Sequence, residues 1–384
     1  MKVLFVDQFS INEGKDVFYL AKKINEIQSF FKVELYFRRD DNKKYAQDKL
    51  TKIHFDFGDA YHGNIIKKVY VYLASLHRLC KFVKDSKFDI VVLQWFSIPW
   101  IEKSFIKKLK KQCKVITIVH DIVPFSNKFG MISALRTIYK SSDLVFVHSE
   151  MAKKEFANIY SKTTPVHLVS NAFCDKHLYT KMPLYEARQK LGIELNRFVV
   201  LFYGSVRESK GLDVLMEAVF LARKREPNIY LLVGGALQGL SKERQDFYLK
   251  LGERINTSNS GKVCFGFVDD EVEPYYFSSA NVLCLPYKNG WQSGVAQLGL
   301  CYELPLLSSD IEEMRGVVVD GFNGILFKNM NASDLCDKVV YMCRNNNKLQ
   351  QYSSNSIVLY DKKFTIDKKA VDFIAGFHLL SENK

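Results

Sequence analysis

A chain of 384 residues is longer than one ordinary hydrophobic core supports, so its length favours two domains. Apolar residues make up 47% of it, with 20 Tyr and 29 Phe, which excludes disorder over most of the length; no uncharged apolar run is long enough to span a bilayer. The charge is lopsided: residues 1–180 hold 30 Lys+Arg against 18 Asp+Glu, leaving 25 against 24 for the remainder. An anionic membrane surface or another polyanion is therefore expected to meet the N-terminal half. Nucleic acid is excluded as the partner because no recognition-helix, RNA-recognition, KH or zinc-finger pattern accompanies the charge.

In chain order, a first short apolar strand at Lys2–Val6 meets an acid at Asp7, unlike a secretory signal. The segment after it contains Gly14 but no GxGxxG, which disfavours a nicotinamide-dependent oxidoreductase. An amphipathic stretch follows (Val17, Leu20, Ala21, Ile24). Further strands are predicted at Asp89–Gln94, Val115–Val119, Leu144–Val147 and Val166–Val169. Between the first two of these, Trp100–Lys111 interleaves bulky apolar residues with lysines. That pattern suits a helix lying on a membrane interface as well as one packed on its own sheet with a basic outer face. The polar stretch from Asn171 to about Asn196 reads as a hinge. Beyond it, strands are predicted at Phe198–Tyr203, Ile229–Val233, Lys262–Phe265, Val282–Leu285, Leu304–Ser308 and Ile325–Phe327. Apolar strands alternating with helices imply parallel sheets covered on both faces, hence two doubly wound Rossmann-like domains, 1–180 and 181–384, facing a central cleft. Eight scattered cysteines without a CxxC pair predict buried thiols in a reducing cytoplasm, with neither zinc nor disulfides.

Ligands of open parallel sheets sit beyond the carboxyl ends of strands, and the chemically interesting residues fall there. Gly204 ends an apolar strand, Arg207 and Lys210 follow in the turn, and a helix opens with Leu212, Leu215 and Met216 at helical spacing. Two cations at a helix start are poorly placed unless an anion joins them, which points to a diphosphate. Pro286 leads a second loop in which Gln292, Ser293, Gly294 and Gln297 offer uncharged hydrogen bonds and free helix-start N–H groups to a sugar or phosphate. His120 and Asp121 end the strand at Val119, where an imidazole can bind a hydroxyl or share in proton movement. Asn171 ends the strand at Val169. Gly266 and Phe267 could present backbone groups and a ring to a base, and Ser149 is expected to cap the helix after it.

The spacing Gly204-x-x-Arg207-x-x-Lys210-Gly211, the loop led by Pro286 and the late segment Asp320-Gly321-Phe322-Asn323-Gly324-Ile325 together resemble the retaining glycosyltransferases of family 4, over almost the whole chain. The resemblance implies a GT-B architecture. It also implies transfer of a sugar from a nucleotide-sugar with retention, without metal or cofactor, to a glycan or lipid-linked acceptor. Arg207 and Lys210 would hold the diphosphate and His120 would line the donor-sugar pocket. Substrate would be bound by Gly14, Asp121, Asn171, Gly204, Gly266, Phe267, Gln292, Ser293, Gly294 and Gln297. The basic half would receive the acceptor in the cytoplasm, at the inner face of a membrane. Most members carry two glutamates eight residues apart, where this chain has Gly290 and Leu298; it looks closer to a subgroup with a Gln-Ser-Gly-Val loop. That departure keeps a second reading open, a degenerate transferase that binds sugar or nucleotide as a partner subunit.

Overall fold

The computed structural model describes residues 1–8, 10–38, 49–57, 64–123, 130–172, 176, 179–289 and 293–382, with backbone alone over 10–16 and 38. The chain divides into two compact units, Met1–Asn171 with Ile366–Lys384, and Ala172–Thr365. The first unit begins with β1 (Lys2–Asp7), α1 (Ser10–Ile27), β2 (Lys32–Arg38), β3 (Ile53–Asp56), α2 (Ile65–Ser86) and β4 (Ile90–Leu93). It continues through α3 (Pro99–Leu109), β5 (Lys114–Ile118), α4 (Met131–Ser141), β6 (Leu144–Val147), α5 (Glu150–Ile159) and β7 (Val166–Leu168). Its seven strands form one sheet in the order β3-β2-β1-β4-β5-β6-β7, and every pairing is parallel.

The second unit carries α6 (Leu184–Leu191), β8 (Phe198–Tyr203), α7 (Leu212–Arg223), β9 (Ile229–Gly234), α8 (Lys242–Thr257), β10 (Gly261–Cys264) and α9 (Glu273–Ser279). After these come β11 (Val282–Leu285), α10 (Gly294–Cys301), β12 (Leu306–Ser309), β13 (Gly324–Phe327), α11 (Ala332–Arg344) and α12 (Asn346–Lys363). Its six parallel strands run β10-β9-β8-β11-β12-β13. The strand order reverses direction beside β8 and β11, so the loops that leave these two strands lie at the switch point where such sheets bind ligands. Central strands such as Val199–Phe202 and Leu231–Val233 are buried on both faces, as continuous apolar runs in a parallel sheet require.

One expectation is corrected. The last helix, α13 (Ile366–Ser381), belongs to the first unit and not to a 181–384 domain. Its stripe Ile366, Ala370, Phe373 and Phe377 packs into that unit's core, where Phe373 meets Phe146 with ring centroids 4.8 Å apart and Phe377 meets Phe31 at 5.3 Å. The boundary between the two units, Asn171 to Ala172, falls at the start of the stretch expected to hold the hinge; the later part of that stretch carries α6, anchored by the fully buried Arg188, which donates to Ser279 O, Leu195 O and Asn281 Oδ1 at 3.1, 2.6 and 2.8 Å. Strands β2 and β3 were missed because charged residues interrupt their apolar runs. Glu34 of β2 is nonetheless buried beside His54 Nε2 of β3, 2.8 Å away, and Tyr36 Oη donates to Asp56 at 2.8 Å. Among the cysteines, Cys80, Cys284 and Cys336 are buried as expected, whereas Cys264 is exposed at the end of β10.

Candidate functional site

In the second unit three strand-end loops press together. Gly204 leaves β8 at φ +95° and its N–H donates to Gly234 O at 2.9 Å. A Cβ on Gly235 would stand 1.8 Å from Gly204 O, and one on Gly211 (φ +65°) would stand 1.9 Å from Pro286 O. Glycine is required at both places because backbone occupies the space of a side chain. Lys288 N donates to Ser209 O at 2.8 Å, which ties the loop after β11 to the loop after β8.

The side chains of this cluster include Arg207, exposed, with Nη2 donating to Gln238 Oε1 at 3.0 Å. Lys210 places Nζ 3.6 Å from the centroid of the buried Tyr287 ring, a cation–π contact, and has no carboxylate partner among the described residues. Tyr287 and Ser293 share a hydrogen bond of 2.9 Å, and Ser293 Oγ also accepts from Ala296 N at 3.1 Å. The Ser293 hydroxyl thus caps α10, whose first residue is Gly294, rather than standing free for a ligand. Gln297 is buried one turn further on, and Leu298 packs in the apolar core beneath. Gly266 and Phe267 follow β10. A Cβ on Gly266 would meet only open space, and the Phe267 ring is 82% exposed. Gln292 lies outside the described residues, as do Gly290 and Trp291.

Sequence reasoning missed the ionic frame of these loops. Glu208 and Asp213 each receive Lys288 Nζ at 3.0 Å, while Arg244 of α8 reaches Glu208 with two nitrogens at 2.9 Å and Asp213 at 3.1 Å. Partial burial pushes both carboxyls up, but hydrogen bonds led by the Lys288 ammonium, with Arg244 behind it, hold both below the usual carboxylate range. Lys288 follows Pro286 in a loop whose sequence shows no partner for it, and Arg244, 31 residues beyond Asp213, leaves no local signal.

In the first unit the ends of β5 and β6 bring His120 and His148 together, ring centroids 5.3 Å apart. Trp95 stacks on His120 at 4.1 Å and 15°. Burial, then His148, then the buried Lys369 of α13 push the His120 pKa well down; burial and Lys369 bring His148 to about 3. Both imidazoles are therefore neutral at pH 7, and the Nε2 atom of each is shielded with no hydrogen-bond partner among the described residues. Besides burial, the groups that shift the His120 pKa are His148 and Lys369. Ser149 Oγ caps α5 through Ala152 N at 3.0 Å, as expected. Asn171 is buried at the last position of Met1–Asn171, and Gly14 lies inside α1 rather than in a turn.

Comparisons with known proteins agree with this architecture. Residues 185–358 match the family Glycosyl transferases group 1, and residues 28–164 match the Glucosyltransferase 3-like N-terminal domain. A D-inositol 3-phosphate glycosyltransferase of Corynebacterium aurimucosum is 23% identical over 202 residues, and the aligned region spans 51% of this chain and about half, 48%, of that protein. Sucrose-phosphate synthase of Thermosynechococcus elongatus superposes with TM-score 0.78 over 100% of both chains at 15% identity. Anabaena HepE, solved in complex with UDP and glucose, superposes with TM-score 0.75 over 98% of this chain and 99% of its own at 16% identity. With two parallel Rossmann-like sheets and these neighbours the fold is GT-B, and residues 185–358 are similar to the group 1 glycosyl transferases.

Proposed function

We propose that this chain is a retaining, metal-independent glycosyltransferase that moves glucose from UDP-glucose to a glycan or lipid-linked acceptor in cell-surface polysaccharide synthesis, at the cytoplasmic face of a membrane. The observation that carries this reading is the glycine-shaped loop after β8, which holds Arg207 and Lys210 against the loops leaving β9 and β11. Two cations on a rigid backbone stabilise a leaving diphosphate as its charge grows, which is the principal work of such a site. The family name Glucosyltransferase 3-like and the HepE complex with UDP and glucose support the choice of donor.

Each residue then has a role. Gly204 and Gly294 admit the diphosphate and sugar close to backbone N–H groups, and Gln292 and Gln297 hydrogen-bond the sugar as neutral amides. Gly266 and Phe267 receive the base. Ser293 holds the start of α10. His120, neutral, lines the donor-sugar pocket beside His148. Gly14, Asp121 and Asn171 serve substrate on the basic unit.

A second reading has one observation in its favour: Leu298 is buried where most relatives of the resembled family carry a glutamate, as in a partner subunit that binds without turnover. A thermal-shift screen across UDP, GDP, ADP and CMP sugars should single out UDP-glucose, because a ligand of the folded state raises apparent stability. Arg207→Ala and Lys210→Ala should each lower kcat by about two to three orders of magnitude. Near-normal rates in both variants would remove the clamp, and a UDP-glucose shift without turnover on any acceptor would favour the partner-subunit reading.

A further inference from the structure

Helices α2 and α3 of the first unit enclose a cavity of about 680 Å³ on the surface of the basic half. That volume lies in the range of small-molecule sites. Leu73, Leu76 and Cys80 from α2 and Ile101 and Phe105 from α3 line it with apolar atoms. Lys81, Lys84, Lys108 and Lys111 also line it, and no acidic residue among the described ones does. None of these four ammonium groups has a carboxylate partner among the described residues, in contrast to Lys110 on the same helix, which lies 3.6 Å from Asp143.

The groove continues along α2 as an uncovered apolar stripe. Ile66, Tyr70 and Leu73 follow one another at helical spacing on one face and are 81%, 72% and 45% exposed. Trp100 is 37% exposed at the start of α3. The start of α3 is held by the buried Glu102, which accepts from Ser97 N and Ile98 N at 3.2 and 2.9 Å and from Gln8 Nε2 at 2.8 Å. The groove wall is thereby fixed rather than formed on contact.

We propose that this groove is the surface by which the chain seats on an anionic phospholipid bilayer, with an acyl chain between α2 and α3 and lipid phosphates on Lys81, Lys84, Lys108 and Lys111. Charge complementarity selects the occupant: an apolar floor with four free ammonium groups and no acid suits a molecule with a hydrocarbon body and an anionic head. The continuing stripe of Ile66, Tyr70 and Leu73 favours a bilayer over a soluble phosphate, which would leave it in water. The proposal rests on the membrane part of the reading above and is independent of the donor chemistry.

Flotation of the full chain on vesicles of phosphatidylcholine, with and without phosphatidylglycerol, tests it. Binding is expected only with phosphatidylglycerol, and lipids brominated in the acyl chain should quench Trp100. Ser104→Trp, which fills the groove from an exposed position on α3, should weaken binding about tenfold without changing charge. Reversal of Lys84, Lys108 and Lys111 to glutamate should cost on the order of 100-fold. Vesicle binding that is indifferent to Ser104→Trp and gives no acyl-chain quenching overturns the groove while leaving a membrane role intact. Absence of binding to either vesicle overturns both. A dimer in light scattering that Ser104→Trp dissociates would make the groove a self-interface instead. UDP-glucose thermal shifts on the same variants separate the readings: unchanged shifts with lost vesicle binding confine the effect to the groove, and absent shifts with intact groove effects would sink the transferase reading alone.

Discussion

Leu298 shows how one residue constrains the chemistry open to α10. Its side chain is 8% exposed within the core of the second unit, so a glutamate there would carry an unpaired carboxylate into apolar surroundings. We expect Leu298→Glu to destabilise that unit by about 3 kcal/mol or more, and the volume-conserving Leu298→Met by less than about 1.5 kcal/mol. Denaturant midpoints of the two variants check this. A Leu298→Glu protein that stays folded and gains turnover would mean that the chain has lost a carboxylate it once used. Ser293 is constrained in a similar way: its hydroxyl serves both the α10 cap and Tyr287, so its substitution should act on the loop's order before it acts on any ligand.

At the scale of elements, α13 is the piece whose position sequence order conceals. Phe377 is fully buried against Phe5, Phe31, Phe146 and Phe373, and a Cβ on the neighbouring Gly376 would fall 2.4 Å from the Phe146 ring. Phe377→Ala should cost about 3–5 kcal/mol, the usual range for a buried phenylalanine. Because Phe377 belongs to the first unit, hydrogen exchange should speed in β1 and β6 while β8 and β9 keep their protection. Loss of protection in β8 and β9 instead would show that the helix supports the second unit.

For the whole molecule, the two units answer acid differently. His120 and His148 remain neutral in the folded first unit, whereas unfolded histidines take a proton below about pH 6.5. Their contribution is fully present above that value and is lost as pH falls toward the folded pKa, about 3 for His148. Glu102 acts in the opposite sense, since burial raises its pKa despite the hydrogen bonds it accepts, and its contribution is lost as pH rises above the carboxylate range. In the second unit the lowered pKa values of Glu208 and Asp213 give a contribution that is present above about pH 4 and lost below it. His148→Gln isolates one of these groups. Relative to the parent it should flatten the dependence of unfolding free energy on pH by up to about 1.4 kcal/mol per pH unit between roughly pH 6 and 4. Parallel curves for the two proteins would show that His148 titrates normally in the fold.

Sequence alone determined what depends on near neighbours. Alternating apolar strands and amphipathic helices specified two parallel sheets, because period and burial are written locally. The turn from Gly204 to Lys210 was visible because glycine and charge at a strand end have few other uses. Only the tertiary structure decided which distant residues those elements would meet. Trp95 and Lys369 reach His120 from β4's end and from α13, Arg244 reaches Glu208 from α8, and Glu34 is buried because His54 on a neighbouring strand receives it. The groove between α2 and α3 is likewise a product of packing: Trp100–Lys111 reads by itself as a basic amphipath, and its lysines meet those of α2 around one apolar cavity because the sheet sets the helices side by side. Local patterns fix the form of each element through backbone sterics and burial, whereas the choice of partner across hundreds of residues is made by complementary shape and charge, which no short window contains.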